Sequence, residues 1–282
     1  MKELTIIIVT YNSAEIIEKS LSNLNAQKYD IAVVDNASLD NCAAIIAKKF
    51  PQIKLIKSDK NIGYGRANNI VLRQVETEFA LILNPDALIE EKDIDLCLET
   101  MKRNKNVALA STIIHNDETA LAKKMDEIDQ EYHDVNLVFG GVMFMRMEIF
   151  QKIGFFDEEF FMFAEDNELS DRAIKNGYKN IIVNNAHAVH IGGSSSKKTI
   201  KNTYRRFWHL GWSKSKYKTR RKNKFNFIRS SLRLVIIYFC EAIFYFFTGN
   251  LNKAAGKIGF SLGCFSCLIG IKAFKKDGNP TV

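Results

Sequence analysis

The 282 residues carry 40 Lys/Arg against 32 Asp/Glu, a net charge of +8. With 46% hydrophobic residues, three prolines and no low-complexity tract, the composition excludes disordered and collagen-like classes and leaves room for one large α/β domain plus an appendage. The charge is divided: residues 1–171 hold 18 Lys/Arg and 30 Asp/Glu, residues 172–282 hold 22 and 2, and no acid occurs from Arg172 through Cys240. The second part therefore faces something anionic, either a lipid surface or nucleic acid.

In chain order, Thr5–Thr10 is a β-rich apolar run, and Asn12 or Ser13 can cap a helix carrying Ile16, Ile17, Leu21 and Leu24 on one face. Ile31–Val34 is a second strand ending at Asp35-Asn36, and a helix follows to about Phe50. Ile53–Ile56 is a third strand, "KSDKNIGYGRANN" a loop entering a helix through about Val75, Phe79–Leu83 a fourth strand, and Asp93–Asn104 a helix. Strands separated by single helices predict a doubly wound, mostly parallel α/β sheet. After Val107–Ile113 the alternation fades. Residues 115–134 read as a polar connection, "VNLVFGGVMFMRM" as strand, Gly turn and strand, and "GFFDEEFFMFAEDNELSDRAIKNGY" as an aromatic cluster entering a helix that closes at Gly177. Ile181–Val183 is a last strand before "HAVHIGGSSS".

The tail differs. Lys197–Arg233 is basic with interleaved aromatics, Leu234–Phe247 is apolar except for Glu241, and Ile258–Ile271 is a second apolar piece rich in Gly. Each piece falls short of the ~20 residues of a comfortable membrane span. Two helices packed in or on a membrane interface are expected, with a transmembrane hairpin and a buried helix pair as alternatives. The five cysteines, Cys42, Cys97, Cys240, Cys264 and Cys267, form no disulfide framework and suit a reducing compartment. Cys264 and Cys267 read as two small apolar residues. The N-terminus begins as a strand, not a signal peptide, so a catalytic part is expected to face the cytosol.

A doubly wound sheet gathers ligands at the carboxyl ends of its strands. Here those ends carry Thr10-Tyr11-Asn12, Asp35-Asn36, Asn61–Asn69 and Asn84-Pro85-Asp86. Taken singly, each has a plain reading: Asn84–Ala87 satisfies a type I turn, and Asp35–Ser38 a turn plus helix cap. "NIGYGRANN" is similar to a phosphate cradle, with Gly63 and Gly65 freeing the backbone before a helix. It is not G-x-G-x-x-G, and neither a P-loop nor a G-x-S-x-G elbow is present. Glu165-Asp166 opens a helix behind an aromatic wall, where partial desolvation raises a carboxyl toward the range of a general base. His190, beside Gly192-Gly193-Ser194, is a suitable donor for a divalent ion.

In this order, "TIIIVTYNS", "VVDNASLD", "NIGYGRANN", "LILNPDALI", "GGVMFMRMEIFQKIGFFDEEFFMFAEDNELSDRAIKNGY" and "AHAVHIGGSS" resemble the family 2 glycosyltransferases with the A-type fold. The bacterial rhamnosyltransferase-like members that build surface polysaccharides are the nearest group. The resemblance covers about residues 4–200. It implies inverting transfer of a sugar from a nucleoside-diphosphate sugar to a hydroxyl of a lipid-linked or polysaccharide acceptor. It further implies that Thr10, Tyr11, Asn12 and Asp35 bind base and ribose, and that Asn61, Gly63, Arg66 and Asn69 lie along the nucleotide. Asp86 would be the last acid of the family's metal-binding D-x-D, with Asn84 in place of the first. Asp166, in the pair Glu165-Asp166, would be the base, His190 a metal ligand, and Arg172 the family's helix arginine in a structural role. Oxygen donors suit Mg2+ or Mn2+, and a histidine tilts the choice toward Mn2+. Asn84 departs from the pattern, since an amide oxygen is a weaker ligand than a carboxylate.

The expected organisation is a catalytic domain over 1–200, with a nucleotide half at about 1–112 and an acceptor and base half at about 135–200, followed by a membrane-associating region over 201–282. Residues 197–282 would then meet an anionic membrane surface at the cytoplasmic face, Trp208 and Trp212 suiting the interface, with no nucleic acid partner. A homo-oligomer is left open. The alternatives are a catalytically silent sugar-nucleotide-binding scaffold and a nucleotidyltransferase.

Overall fold

The computed structural model describes residues 2–117, 129–192, 199–221, 224–275 and 277–282. Gly193 and Ser194 beside His190, most of the polar connection (118–128) and a few residues of the basic segment lie outside this set. The chain divides into two compact units: Met1–Asn61, Arg66–Phe156 and Asp166–Ser195 form the first, and Ile62–Gly65, Asp157–Glu165 and Ser196–Val282 the second.

The first unit is built on a nine-stranded sheet. Its opening elements are β1 (Leu4–Thr10), α1 (Ile17–Ser22), β2 (Asp30–Asp35), α2 (Cys42–Lys49) and β3 (Lys54–Lys57). After these come α3 (Tyr64–Leu72), β4 (Phe79–Leu83), β5 (Ala87–Ile89), α4 (Glu91–Arg103) and β6 (Val107–His115). Every residue of β1 and β4 is buried, as continuous apolar runs require when a parallel sheet is covered on both faces. β1 pairs in parallel with β2 on one side and β4 on the other, and β2 with β3, so the order 3-2-1-4 reverses at β1 and opens a crevice at the carboxyl ends. That half matches the alternation of the sequence.

The other half is mixed. β7 (Tyr132–Asp134), β8 (Val142–Arg146), α5 (Met147–Ile153), α6 (Glu165–Lys175) and β9 (Lys179–His190) complete this part of the chain. β8 lies antiparallel to both β4 and β6, with Leu83 opposite Val142, while β9 runs parallel to β6. The strand expected before the Gly pair is absent: residues 135–139 form an irregular segment leading into β8. β9 is far longer than Ile181–Val183, since its register with β6 shifts between Thr112 and Ile113 to accommodate the polar "NNA". Arg146 is fully buried at the end of β8, where it donates to the carbonyls of Val107, Met101 and Asn104 and pairs with Glu78 at 3.2 Å. It thereby adds a second donor to the Met101 and Asn104 carbonyls at the end of α4, which also accept the Asn104 and Val107 N–H groups. α6 closes at Gly177, φ +83, as its sequence predicts.

The second unit holds α7 (Ile200–Arg221), α8 (Lys224–Phe247) and α9 (Leu251–Leu268). Helix α8 starts well before its apolar core, because Lys and Arg are good helix formers. α7 and α9 touch backbone to backbone: a Cβ on Gly211 would lie 2.2 Å from the Phe260 carbonyl oxygen, on Gly259 2.4 Å from that of Tyr204, and on Gly263 2.0 Å from that of Trp208. Cys264 sits in this seam as a buried free thiol. α8 packs on α9 through Tyr238 stacked on Phe260 at 4.0 Å and Ser261 donating to the Val235 carbonyl at 2.9 Å. Its stretch Asn226–Phe247 has a mean hydropathy of 1.6 and is only 11% buried, and is long and apolar enough to cross a membrane.

The aromatic segment 157–164 clusters with these helices. Phe160 meets Trp212 edge-on at 6.2 Å, Phe161 stacks on His209 at 4.3 Å, and Ser213 donates to the Met162 carbonyl at 2.8 Å. Glu159 pairs with Lys216 at 2.9 Å and Arg220 at 2.8 Å, and Asp157 with Arg220. Burial pulls the imidazole of His209 down to about 4, so it is neutral in this packing. Gly63, at φ +86, lies under the Phe161 carbonyl, which also accepts from the Tyr64 N–H at 2.9 Å.

Candidate active site

The parallel register sets Thr10 beside Asp35, and the Thr10 hydroxyl donates to Asp35 Oδ1 at 3.2 Å, both residues buried. A hydrogen bond to a charged group of this kind contributes about 1.5–3 kcal/mol. Asn12 takes the left-handed conformation, φ +54, and is held at both ends: its N–H donates to Ser38 Oγ at 2.9 Å and its side-chain oxygen accepts from the Leu39 N–H at 2.8 Å. Asn36 Nδ2 reaches Asn61 Oδ1 at 3.0 Å, tying the end of β2 to the loop after β3. Tyr11 is exposed at the same strand end. Thr10, Asn12, Asp35 and Asn61 are therefore brought together. Arg66 lies half-buried on α3. Asn69 is turned inward and holds the Phe156 backbone twice, at 2.8 and 3.1 Å. Gly63 and Glu165 cluster with the second unit, where Glu165 is buried as the first residue of α6.

A second group forms where β4 ends. Asn84-Pro85-Asp86 does make a tight turn, with the Ala87 N–H on the Asn84 carbonyl at 3.0 Å. The turn leads into β5, whose antiparallel pairing with β9 puts Ala87 opposite His190. His190 Nε2 thus lies 3.2 Å from Asp86 Oδ1 and 3.1 Å from the Asn84 amide. The Asp86 carboxylate, the His190 imidazole and the NH2 of the Asn84 amide meet here, the amide oxygen being the atom of Asn84 that a cation would use. Among the described residues no cluster of three His, Cys, Asp or Glu side chains gathers elsewhere, and here the third donor is an amide. A set this sparse fits a hard divalent cation completed by phosphate oxygens and water, which needs only one or two carboxylates from protein.

Asp166 belongs to the same neighbourhood. Because β8 is antiparallel to β4, the Gly140-Gly141 turn before β8 returns to the end of β4, and the Asn84 N–H donates to the Gly141 carbonyl at 2.8 Å. The Gly140 N–H donates to Asp166 Oδ2 at 3.3 Å, and the Asn167 N–H to Oδ1 at 2.8 Å. Desolvation raises the Asp166 carboxyl above its ordinary value, and these backbone bonds offset part of the rise. Arg172 grips Glu168 at 2.7 and 3.0 Å and donates to the Ile153 and Phe155 carbonyls, closing the end of α5.

Sequence reasoning passed over Phe139 and the two glycines. Phe139 meets the His190 ring edge-on at 5.1 Å, and a Cβ on Gly141 would lie 2.2 Å from the Phe139 ring and 3.0 Å from Asn84 Nδ2. The signal was present as "FGG", but a Gly pair before a strand reads first as a turn. Ser38 was visible only as a helix cap.

Buried polar strand ends at the switch point thus lie in the same unit as the Asp86 and His190 pair and the desolvated Asp166 carboxyl. The family model described as glycosyl transferase family 2 matches residues 5–167, and the chain belongs to that family. It is a glycosyltransferase, and its mixed α/β sheet is the A-type fold. It is 21% identical over 231 residues to the N-acetylglucosaminyl-diphospho-decaprenol L-rhamnosyltransferase of Mycobacterium tuberculosis, covering 66% of this chain and 75% of that one. It is 26% identical over 239 residues to the rhamnosyltransferase WbbL of Escherichia coli K12, covering 73% and 89%. Among solved structures, the mannosyltransferase PcManGT from Pyrobaculum calidifontis, a complex with GDP-Man and Mn2+, aligns with a TM-score of 0.62 at 17% identity over 94% of this chain and 87% of that one. At that identity the likeness is one of fold.

Proposed function

We propose that this chain transfers a sugar, with inversion, from a nucleoside-diphosphate donor to a hydroxyl of a lipid-linked or polysaccharide acceptor at the cytoplasmic face of a membrane, in surface-polysaccharide synthesis. The observation that carries the reading is Asp166: a half-buried carboxyl with raised proton affinity, joined through Gly140-Gly141 to the Asn84, Asp86 and His190 donors. Inversion takes one in-line attack, which needs one base and no protein nucleophile. Asp166 accepts the acceptor proton at a carboxylate oxygen, held in place by the Gly140 and Asn167 N–H groups. Asp35, Thr10 and Asn12 hold base and ribose at the switch point, with Tyr11 beside them, and Asn61, Gly63 and Arg66 line the diphosphate side. Asn69 supports that side through Phe156, and Glu165 fixes the first turn of α6.

Asp86, Asn84 and His190 would hold a divalent cation, Mn2+ or Mg2+, which supplies Lewis-acid neutralisation of the departing diphosphate. The acceptor class is supported by the similarity to a relative named for a diphospho-decaprenol acceptor, and by the exposed apolar face of α8. The sugar is a hexose or deoxyhexose in this reading, by likeness to the rhamnosyltransferases.

The test is transfer or donor hydrolysis by wild type and Asp166→Asn. Turnover lost by about 10²–10⁴-fold with nucleotide binding retained is expected for a general base. Nucleotide binding without turnover by the wild type, across donor sugars, would instead leave a silent scaffold. Release of pyrophosphate from a nucleoside triphosphate would leave a nucleotidyltransferase.

A further inference from the structure

β9 does not run straight to His190. Val183 pairs with Thr112 of β6, but the next residue of β6, Ile113, pairs with His187, so Asn184, Asn185 and Ala186 are looped out of that ladder. An insertion of odd length exchanges the two faces of a strand. Before it, Ile181 and Val183 enter the main core; after it, Ala186 and Ala188 do. His190 shares the face of Ala188, lies opposite Ala87 of β5, and from there meets Asp86. A regular strand would carry His190 on the other face, out of reach of that carboxylate. The meeting of imidazole and carboxylate therefore depends on the bulge.

Both ends of the bulge are pinned. At its entry Asn184 is buried: its N–H donates to the Glu131 carbonyl at 2.9 Å, its Nδ2 donates to the Gln130 carbonyl at 2.7 Å, and its Oδ1 accepts from His133 Nδ1 at 2.6 Å. At its exit the His187 N–H donates to Asp93 Oδ1 at 2.9 Å, and the His187 ring meets His115 Nε2 of β6 at 3.1 Å. Asp93 is the unusual member. It stands in the first turn of α4, is 2% exposed, and its Oδ2 has no hydrogen-bond partner. An acid in a first turn complements the helix dipole equally well from solvent. Burying a carboxyl with one oxygen unmatched costs about 1–3 kcal/mol. Helix stability does not explain that placement; the hold on the exit of the bulge does.

We propose that Asp93 is a positioning residue for the cation donors: by accepting the His187 N–H it fixes where the bulge ends, and with it the register that sets His190 against Asp86. Asp93 acts only through the strand and touches no reacting atom. This role rests on the reading of Asp86, Asn84 and His190 as holders of a divalent cation, and adds the group that keeps His190 in place.

The experiment is Mn2+ titration of the full-length protein, with free Mn2+ followed by its electron paramagnetic resonance signal. Asp93→Ala and Asp93→Leu, the second of nearly the same shape as the native side chain, are each expected to bind Mn2+ about tenfold more weakly, the lower range for loss of a group that supports a ligand. Asp93→Asn keeps an acceptor for the His187 N–H and is expected to stay within about twofold of wild type. In a His190→Ala background, Asp93→Ala should weaken Mn2+ no further, because a residue that acts through another loses its effect with it. Each titration is run below the melting temperature read by circular dichroism.

Wild-type affinity in both Asp93→Ala and Asp93→Leu, with His190→Ala weakened, overturns the role of Asp93 and leaves the donor set standing. A loss in Asp93→Asn equal to that in Asp93→Ala points to charge and overturns it too, as does an undiminished effect in the His190→Ala background. Full affinity in His190→Ala, or no Mn2+ binding by wild type, removes His190 from the donors and the role of Asp93 with it.

Discussion

Replacing Gly63 by alanine tests whether the loop after β3 and the aromatic segment before α6 are built as one body. Gly63 has φ +86, and a Cβ there lies 2.4 Å from the Phe161 carbonyl oxygen and 3.0 Å from its Cα. The left-handed backbone alone costs an alanine about 1–2 kcal/mol. The obstacle is backbone, with no flexible tip to swing aside, so the segments must part until the contact exceeds 3.0 Å. That weakens the bond from the Tyr64 N–H to the same carbonyl, worth about 0.5–1.5 kcal/mol, and strains the neighbouring packing by a similar amount. The total is about 2–5 kcal/mol, which for a unit of this size lowers its melting temperature by about 10 °C or more. Both tryptophans of the chain, Trp208 and Trp212, lie on α7, so intrinsic fluorescence reports this unit selectively. Gly249→Ala is the control: φ is +75 but nothing lies within 4 Å, so only the backbone cost remains. Equal fluorescence melting temperatures for the two variants would refute the reasoning.

Burial makes the folded state hold the Asp166 proton to higher pH than the unfolded chain, whose carboxyl titrates near 3.8. This group therefore adds stability below that value and loses it as pH rises through the raised folded pKa. Asp166→Asn is thus expected to be more stable than wild type at pH 7, with the gap closing on acidification; urea midpoints at pH 7 and pH 4 check it, and a gap that widens at pH 4 contradicts it. Asn84→Asp adds a carboxylate to the donor set of Asp86 and His190, and should tighten Mn2+ by about tenfold or more in thermal-shift titrations, whereas Asp86→Ala should abolish the Mn2+ shift. Unaltered metal response in both would dissolve the set. Phe244 and Phe247 are 63% and 81% exposed, so replacing both by serine should leave the melting temperature within about 2 °C while cutting co-sedimentation with phosphatidylglycerol vesicles. Unchanged sedimentation would remove α8 from the membrane contact.

What the residues made legible follows their periodicity. Ile6–Val9, Ile31–Val34 and Phe79–Leu83 are apolar runs within β1, β2 and β4, and such runs have one comfortable home, a covered parallel sheet. Their register then puts Thr10 beside Asp35 without further assumption. The mixed half was hidden for a physical reason: a strand that reverses direction beside β4 leaves no mark in its own side-chain pattern. Hence β8 was readable as a strand, yet its return of Gly140 and Gly141 to the end of β4 was not. The length of β9 was masked by Asn184 and Asn185, residues that strands disfavour. The pairing of His190 with Asp86 is likewise a property of strand register, since the two are far apart in the chain.

Gly211, Gly259 and Gly263 have a mechanical consequence. Side chains between helices act as compliant padding, and rotamer changes let one helix slide or roll a little against its neighbour. Where three backbone carbonyls already touch bare Cα positions, that padding is gone, and α7 and α9 move as a single lever. Through this seam α9 is held against the helix that carries Trp212 and His209, whose rings meet Phe160 and Phe161. The Phe161 carbonyl lies over Gly63, so the same packing reaches Gly63.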